Sequence, residues 1–208
     1  MSIAIIDYGA GNLRSVEKAF QSVGIAASIT KDKSVIRGAK GVVLPGVASF
    51  DSAIVELRQL ALEGVIEETI ALRKPFLGIC LGLQHLFESS EEGVQRGLGI
   101  LPGTVKKFNF AGTPWSDLSV PHMGWNRLHI KHKTPLFEGL EESVMMYFAH
   151  SYYVKPENEM LVASRTDYGI EFASSVWKDN LFGVQFHPEK SGEAGLKILR
   201  NFGKLCLK

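Results

Sequence analysis

The sequence predicts an α/β protein: a central, mostly parallel sheet flanked by helices, with antiparallel strands in its C-terminal half. Three observations predict it. Over the first half, short apolar runs alternate with helix-periodic stretches, which is the pattern of a parallel sheet covered on both faces. Over the second half, strand candidates follow one another across turns with no helix between them, which suggests antiparallel pairing. Finally, 208 residues, 45% hydrophobic and 22% charged, suffice for one buried core, and no repeat, linker or low-complexity tract divides them. One domain over residues 1–208 is expected.

Each element has its own signal. Ile3–Ile6 is β-rich and apolar, and it ends at the turn Asp7-Tyr8-Gly9-Ala10-Gly11. Asn12 suits a helix N-cap, with Leu13, Val16, Ala19, Phe20 and Val23 spaced three or four apart and Gly24 as the residue beyond the end. Ile25–Thr30 and Gly41–Leu44 read as strands, the latter stopped by Pro45-Gly46. Ser49 or Asp51 caps a helix from about Ser52 onward, with its continuation past Gly64 to Leu72 broken. Pro75–Cys80 is a fourth strand, followed at once by a helical pattern in Leu81, Leu83, Leu86 and Phe87. Then come strand candidates at Thr104–Phe108, Asn126–Ile130, Val144–Ala149, Met160–Ser164, Glu171–Trp177 and Leu181–Phe186, and a final helix over Gly192–Leu207.

Composition excludes several classes. Lys and Arg number 23 against 22 Asp and Glu, a net charge of +1, so no global basic field draws nucleic acid or an anionic membrane. Two cysteines, Cys80 and Cys206, cannot build a disulfide scaffold, and a reducing cytoplasm fits. No apolar stretch approaches the roughly 20 residues of a membrane span, and the first residues lack the charged and apolar regions of a signal peptide. Neither a glycine-rich dinucleotide motif nor a P-loop is present, and the histidines lack acidic or thiol company at ligand spacing. No cofactor or metal is expected.

Cys80 stands out. In Gly78-Ile79-Cys80-Leu81-Gly82-Leu83-Gln84 a buried strand runs into a glycine-flanked cysteine and straight into a helix. Small residues two before and two after a nucleophile relieve crowding at a sharp strand-to-helix turn. The turn puts the side chain at the carboxyl edge of the sheet, where open α/β sheets bind ligands. The helix N-terminus favours a thiolate, and the Leu81 N–H would face a developing oxyanion. The plainer alternative is a cysteine packed in a strand. A nucleophile needs a base and a group to orient it. His187-Pro188-Glu189 supplies both if Pro188 holds the chain extended, because residues i and i+2 then point the same way. The alternative there is a surface histidine beside an acid. His85 reads as structural or exposed, His129 and His132 as solvated, and His122 and His150 lie in unusual loops.

The cysteine elbow together with His187-Pro188-Glu189 resembles the triad of the class I glutamine amidotransferases. Further segments, Asp7–Asn12, Leu44–Val47, Pro121-His122-Met123-Gly124-Trp125-Asn126 and Phe148–Tyr153, resemble one branch, the glutaminase subunits of imidazole glycerol phosphate synthase, across nearly the whole chain. The resemblance implies a flavodoxin-like fold and L-glutamine as substrate. It implies Cys80 as nucleophile, His187 as acid and base, and Glu189 as its orienting group. It also implies oxyanion N–H groups from Leu81 and from the Gly46-Val47 loop, and a glutamine pocket formed by Gln84, Glu92, Ser151 and Tyr152. Glu92 without the resemblance reads as a solvated acid. Branch members have glycine after Pro-Gly-Val where this chain has Ala48; if that loop must flip a peptide, Ala48 biases the balance.

The chain carries a way to release ammonia and nothing to receive it. The resemblance implies a (β/α)8-barrel cyclase subunit as partner, forming a heterodimer that makes imidazole glycerol phosphate and an aminoimidazole carboxamide ribotide for histidine biosynthesis. The implied interface residues are Asn12, Met123, Trp125 and Lys190. Trp125, in a Gly-Trp-Asn loop, suits an interface anchor; the alternative is a core tryptophan. Other readings stay open: a paralogue serving surface-sugar amidation or another acceptor, a cysteine peptidase or γ-glutamyl hydrolase, and a catalytically silent scaffold subunit. Cys206 in its apolar helix reads as packing.

Overall fold

The computed structural model describes residues 3–9 and 11–207; Ala10, inside the first turn, lies outside them. Strand β1 (Ile3–Ile6) leads to helix α1 (Leu13–Ser22). Next come β2 (Ala27–Thr30), α2 (Lys33–Gly38) and β3 (Gly41–Gly46). Helices α3 (Phe50–Gln59) and α4 (Glu63–Ala71) precede β4 (Phe76–Cys80) and the short α5 (Leu81–Gln84). Then follow β5 (Ser89–Ser90), β6 (Gly103–Lys107), β7 (His122–Ile130), β8 (Ser143–His150) and β9 (Tyr152–Pro156). The chain closes with β10 (Val162–Asp167), β11 (Glu171–Lys178), β12 (Leu181–Val184) and α6 (Gly192–Leu205).

One mixed sheet holds all the strands in the order β2-β1-β3-β4-β12-β11-β10-β7-β8, with β9 also on β11 and β6 and β5 beyond it. The five strands from β2 to β12 are mutually parallel, and β11, β10, β7 and β8 then pair antiparallel. Strand residues alternate between two cores, as a strand's period of two requires. Ile3, Ile5, Val43, Leu77 and Ile79 pack with α1 and α6, whereas Ala4, Ile6, Val42, Leu44 and Phe76 pack with α2, α3 and α4. No helix among the described residues is long and apolar enough to cross a membrane.

Several expectations change. Asn12 occupies the N-cap position of α1 but makes no side-chain cap bond; its carbonyl accepts from Ser15 and Val16. Strand β3 does not stop at Pro45 but runs through Gly46: Pro45 pairs in register with Ile79 and Gly46 with Cys80. The break between α3 and α4 falls at Leu60–Leu62, where Ala61 turns to φ 49°. Helix α2 comes from a signal passed over, Asp32, whose Oδ1 accepts from the Ser34 and Val35 amides and caps it. The segment Pro121–Asn126 is no loop from His122 onward: it is strand, with His122 opposite His150 on β8. Helix α5 ends at Gln84, and Leu86 and Phe87 reach the core through tighter turns.

Candidate active site

The parallel register sets the carboxyl edge of the sheet. Gly46 at the end of β3 lies opposite Cys80 at the end of β4. Cys80 turns sharply, with φ 54° and ψ −109°. A non-glycine residue there costs on the order of 1–3 kcal/mol, which the surroundings must over-determine. The glycines around it show how they do so. A Cβ on Gly78 would fall 2.7 Å from the Gly82 carbonyl oxygen, and one on Gly82 only 1.8 Å from the Leu44 oxygen. Strand and helix therefore approach too closely for any side chain at either position. A Cβ on Gly46 would fall 2.4 Å from the Tyr8 hydroxyl, which donates to the Pro45 carbonyl at 2.7 Å. Tyr8 thus fixes the peptide before Gly46. Burial, and then the neighbouring Cys80, push the Tyr8 phenol upward.

His187 follows β12 with an extended backbone, φ −101° and ψ 95°. Its side chain is nearly fully buried, and Nδ1 lies 2.9 Å from Glu189 Oε1. The contact forms, but not by the expected route. Residues Pro188–Lys190 make a 3-10 turn rather than an extended run; proline suits the first helical position, where its missing N–H is no loss. Ser191 clamps the turn by donating to the His187 carbonyl and accepting from the Tyr147 amide. Burial alone would lower the imidazole's affinity for a proton. Hydrogen bonds to the Cys80 thiol and to Glu189 overcome it and push His187 up to about 10.

A cavity of about 350 Å³ opens over Cys80, a size that suits a small ligand. Val47, Leu81, Gln84, Glu92, Ser151 and Tyr152 all line it, as do His187, Met123 and Lys190. Glu92 is held in place: its Oε2 accepts from the Phe50 amide at the start of α3, and Asp51 in return accepts from the amides of Val94 and Gln95. Asn12 does not join this cavity and lines a separate depression with Asp7 and Arg14. Trp125 is exposed, not core; its ring packs edge-on to Tyr147, and the Lys190 ammonium sits 5.8 Å over that same Tyr147 ring. Ala48 also lines the cavity and is not among the non-glycine residues with positive φ. Among the described residues no three or more His, Cys, Asp or Glu are grouped to hold a metal.

Residues 4–205 match the family described as glutamine amidotransferase class-I. The chain belongs to the class I glutamine amidotransferase family. Among its relatives is the imidazole glycerol phosphate synthase subunit HisH of Moorella thermoacetica, 49% identical over 98% of this chain and 94% of the relative. The protein of the same name from Syntrophotalea carbinolica is 48% identical over 98% of this chain and all of the relative. Among solved structures, a glutamine amidotransferase superposes with a TM-score of 0.77 over the full length of both chains at 20% identity, which speaks to the fold.

Two features of this amidotransferase escaped the sequence reading. The first is the histidine pair His122 and His150, buried and 3.0 Å apart. Desolvation pulls them to about 4 and about 3 respectively, so both are neutral at pH 7. The second is Gln185, fully buried, whose Nε2 lies 3.6 Å from the Cys80 sulfur. The sequence signal was a lone amide in the apolar run Leu181–Phe186, two residues before His187. Helix α5 has only four residues, so its dipole contributes less to the sulfur than expected. The groups that meet the sulfur are Gln185, His187 and, at 4.0 Å, the Ala149 carbonyl.

Proposed function

We propose that this chain is the glutaminase half of an imidazole glycerol phosphate synthase, acting in the cytoplasm as one domain. It hydrolyses L-glutamine and hands the ammonia to a (β/α)8-barrel cyclase. The observation that carries the chemistry is a strained cysteine at a sheet edge, in the wall of a small cavity, with an imidazole raised to about 10 beside it. His187 takes the Cys80 proton, and the sulfur reacts as thiolate. It attacks the side-chain amide carbon of glutamine, and the carbonyl electrons move to oxygen. The Leu81 N–H and an N–H of the Gly46-Val47 segment hold that oxyanion. The adduct collapses as His187 Nε2–H protonates the leaving nitrogen, and ammonia departs from a γ-glutamyl thioester. His187, now neutral, takes a proton from water, which attacks the thioester. Glutamate leaves, and the Cys80 thiolate with its imidazolium partner is restored.

Substrate recognition rests on charge and on spent hydrogen bonds. Gln84 uses its Nε2 on the Tyr152 carbonyl and on Gln185 Oε1. It therefore offers a ligand only its Oε1, an acceptor suited to an ammonium or amide N–H. Glu92 supplies the carboxylate an ammonium needs. Ser151 and Tyr152 contribute mainly backbone. Exposed Met123 and Trp125 beside Lys190 form the docking face. There the barrel shelters ammonia from the protonation that ends its nucleophilicity. Asn12, exposed in its separate depression, is a further contact for the barrel.

The test is glutamine hydrolysis with and without the barrel subunit and its nucleotide ligand. Turnover is expected to rise on docking and to vanish in Cys80→Ser; equal turnover in all three conditions would sink the reading. Trp125→Ala is expected to weaken docking by about thirtyfold or more, the loss typical of a buried aromatic anchor, with basal turnover unchanged.

A further inference from the structure

We propose that Gln185 is a positioning residue for the nucleophile: its amide N–H holds the Cys80 sulfur, and one backbone carbonyl, that of Tyr152, dictates its orientation. The proposal rests on the reading of Cys80 as nucleophile. The argument begins from hydrogen-bond valence. A carbonyl oxygen only accepts. The Tyr152 oxygen lies 3.0 Å from the Gln84 amide nitrogen and 2.8 Å from His150 Nδ1, so both of those groups must donate to it. Gln84 is thereby fixed with Nε2 inward. The Gln185 atom 3.1 Å from that same Nε2 must then be an acceptor, Oε1. This leaves Gln185 Nε2 facing Cys80 at 3.6 Å. Amide flips are ordinarily ambiguous; here each follows from the one before.

The chain extends the other way too. His150 donates from Nδ1, so its Nε2 accepts from His122 Nδ1 at 3.0 Å. His122 Nε2 in turn accepts from Asn126 Nδ2, which also donates to the Asp167 carbonyl. Both imidazoles are neutral single tautomers: His150 cannot reverse without breaking its bond to the Tyr152 carbonyl, and His122 cannot without Asn126 giving up its bond to the Asp167 carbonyl. The Tyr152 oxygen is therefore held from both sides. A donor aimed at sulfur stabilises the thiolate over the thiol, and it fixes the side chain's direction before substrate arrives. Gln185 is fully buried and reaches the cavity only through the sulfur and through Gln84, from whose Nε2 it accepts.

The test measures alkylation of Cys80 by iodoacetamide across pH in the full chain, with the modified peptide identified by mass spectrometry. The titratable groups around the sulfur are His187 with Glu189 behind it, Tyr8 and His150, with Glu92 and Lys190 across the cavity; none is altered. Gln185→Met keeps the length without the donor, and Gln185→Glu replaces the donor with an acceptor. Loss of a hydrogen bond to a charged group predicts about tenfold slower alkylation at neutral pH. The half-maximal pH should move upward in both variants, furthest in Gln185→Glu; of the two, only Gln185→Glu keeps an acceptor for Gln84. If only one variant folds, its pH profile decides. An unmoved profile in a folded variant overturns the proposal. Wild-type protein in which Cys80 is not alkylated at all would instead overturn the nucleophile reading itself.

Discussion

Two buried histidine settings lie close together and behave oppositely. His187 sits against a carboxylate and a thiol and is raised to about 10; His150 and His122 sit against a carbonyl, an amide and aromatic rings, and are lowered to about 3 and about 4. Burial is common to all three. What differs is whether a partner gains by facing a cation. The Cys80 sulfur and Glu189 do so strongly enough to outweigh burial at His187; the Tyr152 carbonyl raises His150 too, but burial outweighs it, and the Asn126 amide brings His122 no charge. His122 further stacks on Tyr168 and Phe148, with ring centroids 4.0 and 4.9 Å away. Desolvation therefore decides a histidine's charge only where no compensating charge is supplied. One setting is built to carry a proton and the other never to accept one.

Breaking the contrast from the His187 side has the largest expected effect. Glu189→Gln leaves His187 a neutral partner like those of His150. Its proton affinity should fall, though the Cys80 sulfur still raises it, and glutamine turnover should drop by about a hundredfold or more, the scale of a mis-tuned acid and base. A turnover within twofold of wild type would show that the carboxylate does not set the charge. Titration of the imidazole by NMR reads the same change directly.

The next effect comes from the other side. Asn126→Asp puts a carboxylate on His122 while losing the donor to the Asp167 carbonyl. His122 should then titrate upward from about 4. Stability should drop by roughly 1–3 kcal/mol, because a carboxylate would face a carbonyl oxygen. Urea unfolding and NMR titration check the pair, and an unmoved His122 would mean that packing outweighs the charge.

The smallest effects are in the pH dependence of stability, where the two settings act at opposite ends. His122, His150 and the likewise buried His85, near 4, have native proton affinities below their unfolded value. Their contribution is whole above about pH 6.5 and is lost as pH falls from there toward 4 and 3. His187 is raised, so its contribution is whole below about pH 6.5 and lost as pH rises toward 10. Thermal unfolding against pH should show both slopes. His150→Phe or His122→Phe should flatten only the acid one.

How much of this was legible follows from what each feature depends on. The parallel half and the elbow were readable, because glycines two either side of Cys80 report a local crowding that Gly82 makes plain, where a Cβ would fall 1.8 Å from the Leu44 oxygen. His187 and Glu189 were readable from their separation of two, although the turn that joins them was not the extended one expected. The histidine pair was not readable. His122 and His150 meet through the register of β7 on β8, and no local spacing encodes that register. Strand β9 was missed because Ser151 interrupts the run between β8 and β9. Gln185 was visible as an amide in an apolar strand, but its orientation follows from a carbonyl on a different element.

The most direct measurement is peptide mass spectrometry of protein mixed with glutamine and the barrel subunit and quenched in acid. A γ-glutamyl adduct on the Cys80 peptide in the wild type, absent in Cys80→Ser together with all turnover, is the predicted result. Turnover that survives in Cys80→Ser, or turnover in the wild type with no adduct on that peptide, would contradict the account.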